Sequence, residues 1–264
     1  MSDVPNYTDI LYEKRDRVVT IVMNRPKSFN SLSPGMVDEL VDALDRAGWD
    51  KEVAVIVLTG AGDRAFCAGG DQTEHKGLYS GRGTVGMPIH HLQSLIRDVP
   101  KPVIARVRGY AIGGGNVLAA LCDLTIASDN AIFGQVGPKV GSADPGFGTA
   151  YMARVLGEKK ARELWYMCRR YSAQEALAMG LVNVVVPDAE LDAEVAKWCA
   201  ELSERSPTAI AITKRAFNAD SESIRGSSAL GMEAVRLLYL SDESREGTAA
   251  FKEKRKPDFW KYRM

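Results

Sequence analysis

The sequence has 264 residues, 45% of them hydrophobic, and its 34 Lys and Arg side chains balance 34 Asp and Glu side chains. A chain of this length buries a substantial core, and a formal charge of zero argues against nucleic acid or an anionic membrane as the main partner. The four cysteines, Cys67, Cys122, Cys168 and Cys199, form no CxxC pair, which indicates neither a zinc site nor a disulfide framework. The polar start carries no signal-peptide pattern and no run reaches roughly 18 apolar residues. We therefore expect a cytoplasmic protein with no membrane span and no metal.

Apolar, β-branched runs alternate with helical patterns in the first half of the chain, which indicates βαβ units in an α/β core. The predicted strands are 18–23, 53–59, 103–107 and 124–127, and the predicted helices are 34–48 and 88–97. After about Gly146 helical patterns dominate, at 149–156, 158–168, 173–179, 189–203, 207–218, 226–239 and 242–253, with one more strand within 182–186. Ser172 and Glu175 form a capping-box pattern, and Pro207 follows Ser206 at another helix start. The segment 75–86, HKGLYSGRGTVG, predicts a mobile loop that orders over a ligand.

Two glycine clusters follow predicted strands, AFCAGGD at 65–71 and GYAIGGGN at 109–116. Consecutive glycines let the backbone approach a ligand closely and point N–H groups at it, which suits a developing oxyanion at a helix N-terminus. Either cluster alone is also compatible with a tight strand-to-helix turn. A dinucleotide-binding turn is less favoured, because neither cluster has the G-x-G-x-x-G spacing with an acidic residue about 20 positions later. Two clusters with a strand between them favour a paired hydrogen-bond donor site.

These clusters and three more motifs resemble the crotonase (enoyl-CoA hydratase/isomerase) superfamily over nearly the whole chain. The additional motifs are NRPKSFNSL at 24–32, CDLTIAS at 122–128 and FGQVGPKVG at 133–141. The resemblance implies an α/β crotonase (ClpP-like) fold of repeated ββα units with a helical C-terminal region. It also implies that the backbone N–H groups of Gly70 and Gly114 form the oxyanion hole for an acyl-CoA thioester, where one donor is typically worth about 2.7–4 kcal/mol.

The sequence departs from the hydratases of this family at the two positions where they carry glutamates. Val117 and Gly137 stand there instead. Hydration of an enoyl thioester needs a positioned acid and base, so we expect that this chain is not a simple hydratase.

Residues 134–168 and 242–259 resemble the branch that contains 1,4-dihydroxy-2-naphthoyl-CoA synthase and, more closely, 2-ketocyclohexanecarboxyl-CoA hydrolase. The synthase closes a ring by Dieckmann-type condensation in menaquinone biosynthesis, and the hydrolase opens a ring with water to give pimeloyl-CoA. GRGTVGMP at 81–88 and the DPG that follows the Gly-Ser turn favour the hydrolase. The synthase stays open as the alternative, and so does a crotonase-like binding protein without catalytic activity.

Three side chains are candidates for the chemistry. Asp144 and Ser142 lie in the turn GSADPG, where such residues commonly bond their own backbone. The resemblance implies instead that Asp144 activates water, with a pKa raised by desolvation, and that Ser142 hydrogen-bonds the ring ketone or that water. Tyr239 would by pattern alone be a core aromatic. The resemblance makes it the acid that returns a proton to the enolate, because a phenol with a pKa near 10 stays protonated at neutral pH.

The remaining implied contacts concern coenzyme A, as part of the substrate, and an anion. An adenine site is implied near Arg25, Lys27, Ala65 and Asp71, with phosphate contacts from Phe251 and Lys254 of a neighbouring subunit. A bicarbonate that replaces the missing carboxylate is implied by Gln135, Gly137 and Trp165, as in synthases without an acidic residue at the Gly137 position, and its use by a hydrolase stays open. Thr149 is a weaker candidate for substrate contact, and no tightly bound cofactor is expected.

The resemblance implies two regions and self-association. Residues 1–200 form the α/β core, and residues 201–264 form a helical region that makes a homotrimer, or a hexamer of two trimers. Trp165 and the basic run at 252–256 also fit simple core packing and a solvated helix end, respectively.

Overall fold

The computed structural model describes residues 6–71 and 88–263. Within these ranges the chain forms ten β-strands. They are β1 (Ile10–Arg15), β2 (Val18–Met23), β3 (Val55–Gly60), β4 (Ala65–Cys67), β5 (Val103–Val107), β6 (Tyr110–Ile112), β7 (Leu124–Ser128), β8 (Ile132–Gly134), β9 (Arg170–Ser172) and β10 (Val184–Val186). The predicted loop at 75–86 lies outside the described residues.

The strands form two sheets, one of six strands and one of four. The larger sheet has the order β1-β2-β3-β5-β7-β10, and the smaller one has the order β4-β6-β8-β9. Pairing is parallel except at β1 with β2 and at β8 with β9. From β3 to β8, consecutive strands alternate between the sheets, so each of the pairs β3–β4, β5–β6 and β7–β8 contributes one strand to each sheet. This confirms the predicted α/β fold of ββα units.

Ten α-helices surround the sheets in the described ranges. They are α1 (Pro34–Trp49), α2 (Pro88–Asp98), α3 (Gly114–Leu121), α4 (Met152–Leu156), α5 (Glu158–Met167), α6 (Ala173–Ala178), α7 (Leu191–Ser203), α8 (Pro207–Ala219), α9 (Glu222–Tyr239) and α10 (Asp242–Lys252). None of these helices combines the length and the apolar character that crossing a bilayer requires.

The helices that the sequence predicts agree with the structure within a few residues at each end. The capping box is present, since the Ser172 hydroxyl accepts a hydrogen bond from the Glu175 amide at 3.3 Å and the Glu175 carboxylate accepts one from the Ser172 amide at 2.8 Å. One difference lies at 149–156, where the predicted helix begins as a π-helical turn, Phe147–Tyr151, before α4. Such turns are rare and occur frequently at functional sites.

The strands that the sequence misses are short or exposed. β4, β6, β8 and β9 have three residues each, too few to show an alternating pattern. β1 is mostly exposed beyond Ile10, so it lacks an apolar signal. Long buried strands such as β3, whose six residues are all buried, were predicted because both faces of a central parallel strand are covered and the run is continuously apolar.

The C-terminal helices pack on the α/β core. Ile224, Met232 and Val235 of α9 belong to the same hydrophobic cluster as the residues of α1 and the larger sheet. On α8, the buried Lys214 ammonium donates to the Asp123 carboxylate at 2.7 Å and to the carbonyls of Ile96 and Lys101, both at 2.9 Å. These contacts hold α8 and α9 against the core and position the end of α9 near the turn at 142–146.

Candidate active site

A cavity of about 610 Å³ lies where the turns that follow the strands of the smaller sheet meet α9. Its lining includes backbone from the two glycine clusters and the residues Ser142, Asp144 and Tyr239. Apolar side chains also line it: Leu32, Val37, Ile89, Val140, Met232 and Val235. An apolar chamber with a few convergent polar groups is the usual form of a small-molecule site.

The two glycine clusters adjoin each other at the cavity. A Cβ on Gly114 would lie 3.6 Å from the Gly69 Cα and 3.8 Å from the Gly70 nitrogen. Gly114 is the first residue of α3, and the first N–H groups of a helix have no acceptor within the helix. The chain at Gly70 is held by an isolated bridge to Leu32. The fold thus brings together the two backbone positions that the sequence predicts as a donor pair.

Asp144 lies in the turn before the π-helical segment and is held by one donor on each carboxylate oxygen. The Gln93 amide nitrogen donates to Oδ2 at 2.9 Å, and the Gly148 backbone N–H donates to Oδ1 at 3.1 Å. Burial raises the pKa of Asp144 from 3.8 to about 6, against the lowering effect of these two hydrogen bonds. A carboxyl with such a pKa is an effective proton acceptor near neutral pH.

Ser142 and Tyr239 form a hydroxyl pair beside Asp144. Their oxygens are 2.7 Å apart. The pKa of Tyr239 is raised mainly by burial, with a further contribution from the negative charge of Asp144. The phenol therefore stays protonated and can donate a proton.

The turn that carries Asp144 packs tightly against α9, the helix that carries Tyr239. A Cβ on Gly146 would lie 2.3 Å from the Ser228 Cβ, and a Cβ on Gly231 would lie 2.5 Å from the Pro145 Cβ. Gly146 also has φ +77°, which favours glycine. These close approaches fix the position of the turn relative to α9. They therefore also fix the position of the Asp144 carboxyl relative to the Tyr239 phenol, although about a hundred residues separate the two in sequence.

The two positions of the hydratase glutamates have no acid or base here. The Val117 side chain is fully buried in α3. A Cβ on Gly137 would lie 2.6 Å from the Ser142 carbonyl oxygen and 2.9 Å from a Trp165 ring carbon. The space beside Gly137 is therefore closed to a side chain in this arrangement.

The residues of the implied bicarbonate site fit that anion only in part. Gln135 and Gly137 line the cavity, and the buried Gln135 amide has no hydrogen-bond partner among the described residues. Trp165 also lines the cavity, but its indole N–H donates to the Gly148 carbonyl. The Gln135 amide is thus the implied side chain that would donate to a bound anion, whereas the indole of Trp165 is already engaged.

The residues implied for coenzyme A divide into two groups. Arg25, Asp71 and Phe251 line the cavity, and the Arg25 guanidinium lies 2.9 Å from the Asp71 carboxylate. The cavity lining does not include Lys27, Ala65 and Lys254. Phe251 lines the cavity of its own chain, whereas the resemblance implies a contact across subunits.

Thr149 lies apart from the cavity lining. Its hydroxyl accepts a hydrogen bond from the Gly146 amide at 2.9 Å, which is a role in the turn that carries Asp144. In this structure the Thr149 hydroxyl therefore stabilises the turn and does not line the cavity.

Sequence reasoning missed several residues of the site. Gln93 and Gly148 contact Asp144, and Met232 and Val235 line the cavity. Gln93 is 51 positions from Asp144 and sits in a helix with no motif of its own, so no local signal pointed to it. The DPGFG run that contains Gly148 was visible, although its contact with the carboxylate was not.

The family model described as enoyl-CoA hydratase/isomerase matches residues 13–262. Among solved structures, an enoyl-CoA hydratase from Mycobacterium avium subsp. paratuberculosis K-10 is 33% identical, with 96% of this chain and 98% of that chain covered and a TM-score of 0.86. An enoyl-CoA hydratase from Bacillus anthracis is 32% identical, with 95% and 98% covered and a TM-score of 0.74. A methylmalonyl-CoA decarboxylase in complex with 2-nitronate-propionyl-CoA is 29% identical, with 96% and 98% covered and a TM-score of 0.82.

Proposed function

This chain belongs to the enoyl-CoA hydratase/isomerase family, the crotonase superfamily, and processes acyl-CoA; we propose that it cleaves a carbon–carbon bond of a β-ketothioester. The best candidate reaction is the ring-opening hydrolysis of 2-ketocyclohexanecarboxyl-CoA to pimeloyl-CoA. The observation that carries the proposal is Asp144, a carboxyl with a raised pKa that lines the same cavity as the Ser142–Tyr239 pair and the paired glycines.

The oxyanion donors come from the backbone. The N–H groups of Gly70 and Gly114 bind the thioester oxygen, whose negative charge grows as the bond to the neighbouring carbon breaks. Donors at fixed backbone positions need no reorganisation during the reaction, which makes them effective for this purpose. The adjoining glycine clusters support this role.

Asp144 is the general base of the first step. It accepts a proton from water as the water oxygen bonds to the ring ketone carbon, and the ketone becomes a tetrahedral adduct. Ser142 donates a hydrogen bond to the ketone oxygen as it gains negative charge. The half-buried environment of Asp144 and its pKa of about 6 support proton acceptance near neutral pH.

Tyr239 is the general acid of the second step. The adduct collapses to a carboxylic acid, and the electron pair of the broken carbon–carbon bond becomes the thioester enolate. The Tyr239 phenol gives its proton to the enolate carbon, and the proton on Asp144 then returns to Tyr239 through Ser142. The sum is one water added and one ring bond broken.

The acyl chamber suits an alicyclic group better than a charged one. Its lining includes Ile89, Val140, Met232 and Val235, which offer contact area to methylene groups. The ring ketone would be the one polar atom that reaches Ser142 and Asp144.

Two of the similar structures are named enoyl-CoA hydratases, but we do not propose that activity for this chain. Val117 is apolar and buried, and Gly137 has no room for a side chain beside Trp165. Without those two carboxylates, the positioned acid and base for enoyl-CoA hydration are missing.

One observation favours the second candidate, ring closure by a 1,4-dihydroxy-2-naphthoyl-CoA synthase. The Gln135 amide lies buried at the cavity beside Gly137, without a partner among the described residues. An anion there would supply a base in the place of a hydratase glutamate. Activity that depends on added bicarbonate is the outcome that this candidate requires.

The C-terminal region, 201–264, is proposed to associate with other copies of the chain. Large apolar side chains on α8 to α10 and in the tail after α10 are exposed: Ile212, Phe217, Leu230, Leu237, Leu240, Phe251 and Trp260. Large exposed apolar side chains in one region support an interaction surface there. Sedimentation of the purified protein tests a trimer or hexamer directly.

The experiment that tests the reaction uses three thioesters: 2-ketocyclohexanecarboxyl-CoA, o-succinylbenzoyl-CoA and crotonyl-CoA. Each is incubated with the protein, with and without bicarbonate, and the products are identified by mass. Gain of one water by the first supports ring opening. Loss of one water from the second supports the synthase, and gain of one water by crotonyl-CoA overturns the argument from Val117 and Gly137.

If none of the three thioesters is converted, both proposed reactions are refuted. A titration with a non-reactive acyl-CoA analogue then separates an enzyme for another thioester from a chain that does not bind coenzyme A. Loss of turnover in Asp144→Asn, with analogue binding retained, is the matching test of the base.

A further inference from the structure

The most informative contact outside the predicted site is made by Gln93, in the middle of α2. Its side chain is fully buried, and its amide nitrogen donates to Asp144 Oδ2 at 2.9 Å. Its other polar atom, Oε1, is also buried and has no hydrogen-bond partner among the described residues. A buried amide with one unused acceptor is unusual, because buried polar atoms are mostly paired.

The other oxygen of Asp144 is held by backbone. The Gly148 N–H donates to Oδ1 at 3.1 Å, and a Cβ on Gly148 would lie 2.6 Å from the Asp144 Cβ. Only a glycine allows this approach. The carboxyl plane is therefore defined by one backbone donor and one side-chain donor, and only the side-chain donor is able to rotate.

We propose that Gln93 is a positioning residue that keeps Asp144 oriented toward the substrate in both of its protonation states. The nitrogen of the amide serves the carboxylate, which only accepts hydrogen bonds, and the oxygen serves the carboxylic acid, which also donates. Rotation of the amide about its terminal bond exchanges the two atoms. Asp144 thus keeps a partner on Oδ2 before and after it accepts the proton from water. This inference rests on the proposed role of Asp144 as the base.

Among residues 6–71 and 88–263, few charged and titratable groups surround this contact. From α9, Tyr239 interacts with the Asp144 charge. On α2 itself, His90 and Arg97 flank Gln93 by one turn on either side, and both lie over the Phe147 ring, at 5.9 and 5.7 Å. Arg225 of α9 faces His90 and is paired with Asp98 at 2.6 Å. Gln93 and the Gly148 amide are the groups that lower the pKa of Asp144.

The test replaces Gln93 with methionine, which has nearly the same length and shape and no donor. The carboxyl carbon of Asp144 is followed by NMR during a pH titration of the unliganded protein, and its signal is identified by its absence in Asp144→Asn. In Q93M the midpoint rises from about 6 by about one pH unit, because the lost hydrogen bond to the charged carboxylate is stronger than the lost bond to the neutral acid. The acid limb of kcat/KM moves upward by the same amount, so the activity at pH 6 relative to that at pH 9 falls about fivefold.

Ser94→Ala is the matched control. Ser94 is the next residue on α2, is also buried, and has a hydroxyl without a partner among the described residues. Its removal perturbs the same helix but leaves both the midpoint and the acid limb unchanged. A general packing defect would lower activity at all pH values in both variants and move neither curve.

A second variant, Gln93→Glu, covers the case in which Q93M does not fold. It preserves the shape and places a second carboxyl against Asp144, so the midpoint rises further than in Q93M. An Asp144 midpoint within about 0.3 pH units of the wild type, in any Gln93 variant that folds, overturns the proposal. The NMR titration needs no substrate, so this result is independent of whether ring opening is the correct reaction.

Discussion

Replacement of Asp144 by asparagine should make the protein more stable at alkaline pH while it removes turnover. The folded chain holds this carboxyl in a half-buried turn and raises its pKa from 3.8 to about 6. Because the carboxyl binds its proton more tightly in the folded than in the unfolded state, ionisation destabilises the fold. The penalty is absent below pH 4, grows between pH 4 and 6, and is complete above pH 6.

The magnitude follows from the size of that shift. A rise of about 2.2 pH units corresponds to about 3 kcal/mol at roughly 1.36 kcal/mol per unit. Asparagine has nearly the same shape and keeps both hydrogen bonds. Its oxygen accepts from the Gly148 N–H, and its nitrogen donates to Gln93 Oε1, which has no partner among the described residues at present.

The assay is urea unfolding of both proteins at pH 4 and at pH 8, at one protein concentration so that any association contributes equally. The free energy of unfolding of D144N should exceed that of the wild type by about 2–3 kcal/mol at pH 8 and agree within about 0.5 kcal/mol at pH 4. Asp129→Asn is the control, since Asp129 is exposed and its change should stay within about 0.5 kcal/mol at either pH.

Two results would refute this reasoning. One is a D144N protein that is less stable than the wild type at pH 8. The other is a gain of equal size at both pH values, because a gain that does not depend on pH cannot come from the removed charge.

Three further changes test separate parts of the structure. Tyr239→Phe should lower turnover by about 10²–10⁴-fold while it leaves the binding of a non-reactive acyl-CoA analogue unchanged, and turnover near the wild-type rate would remove the phenol from the reaction. Gly137→Ala should lower the free energy of unfolding by about 1–3 kcal/mol, because the added Cβ would lie 2.6 Å from the Ser142 carbonyl oxygen; an unchanged urea midpoint would show that the turn relaxes easily. Lys214→Met should cost about 1–3 kcal/mol, since it leaves the partly exposed Asp123 carboxylate without its 2.7 Å partner, and the additional change Asp123→Asn should recover part of the loss.

Much of the α/β core follows from the sequence because its signals are local. Continuous β-branched runs such as β3 are typical of strands that are buried on both faces, and Ser172 with Glu175 marks a helix start by side chains three residues apart. The glycine clusters indicated a donor site because glycine alone allows such close backbone approaches. The sequence does not predict the smaller sheet, because its strands have only three residues each.

The sequence by itself determined the family, the fold class and the positions of the candidate groups at 70, 114, 142, 144 and 239. Only the tertiary structure decided what surrounds them. The pKa of Asp144 depends on burial and on Gln93, which reaches it from a helix 51 residues earlier, and the contact between Ser142 and Tyr239 spans 97 residues. Electrostatic environment and hydrogen-bond geometry arise from the packing of distant segments, so no local pattern of residues encodes them.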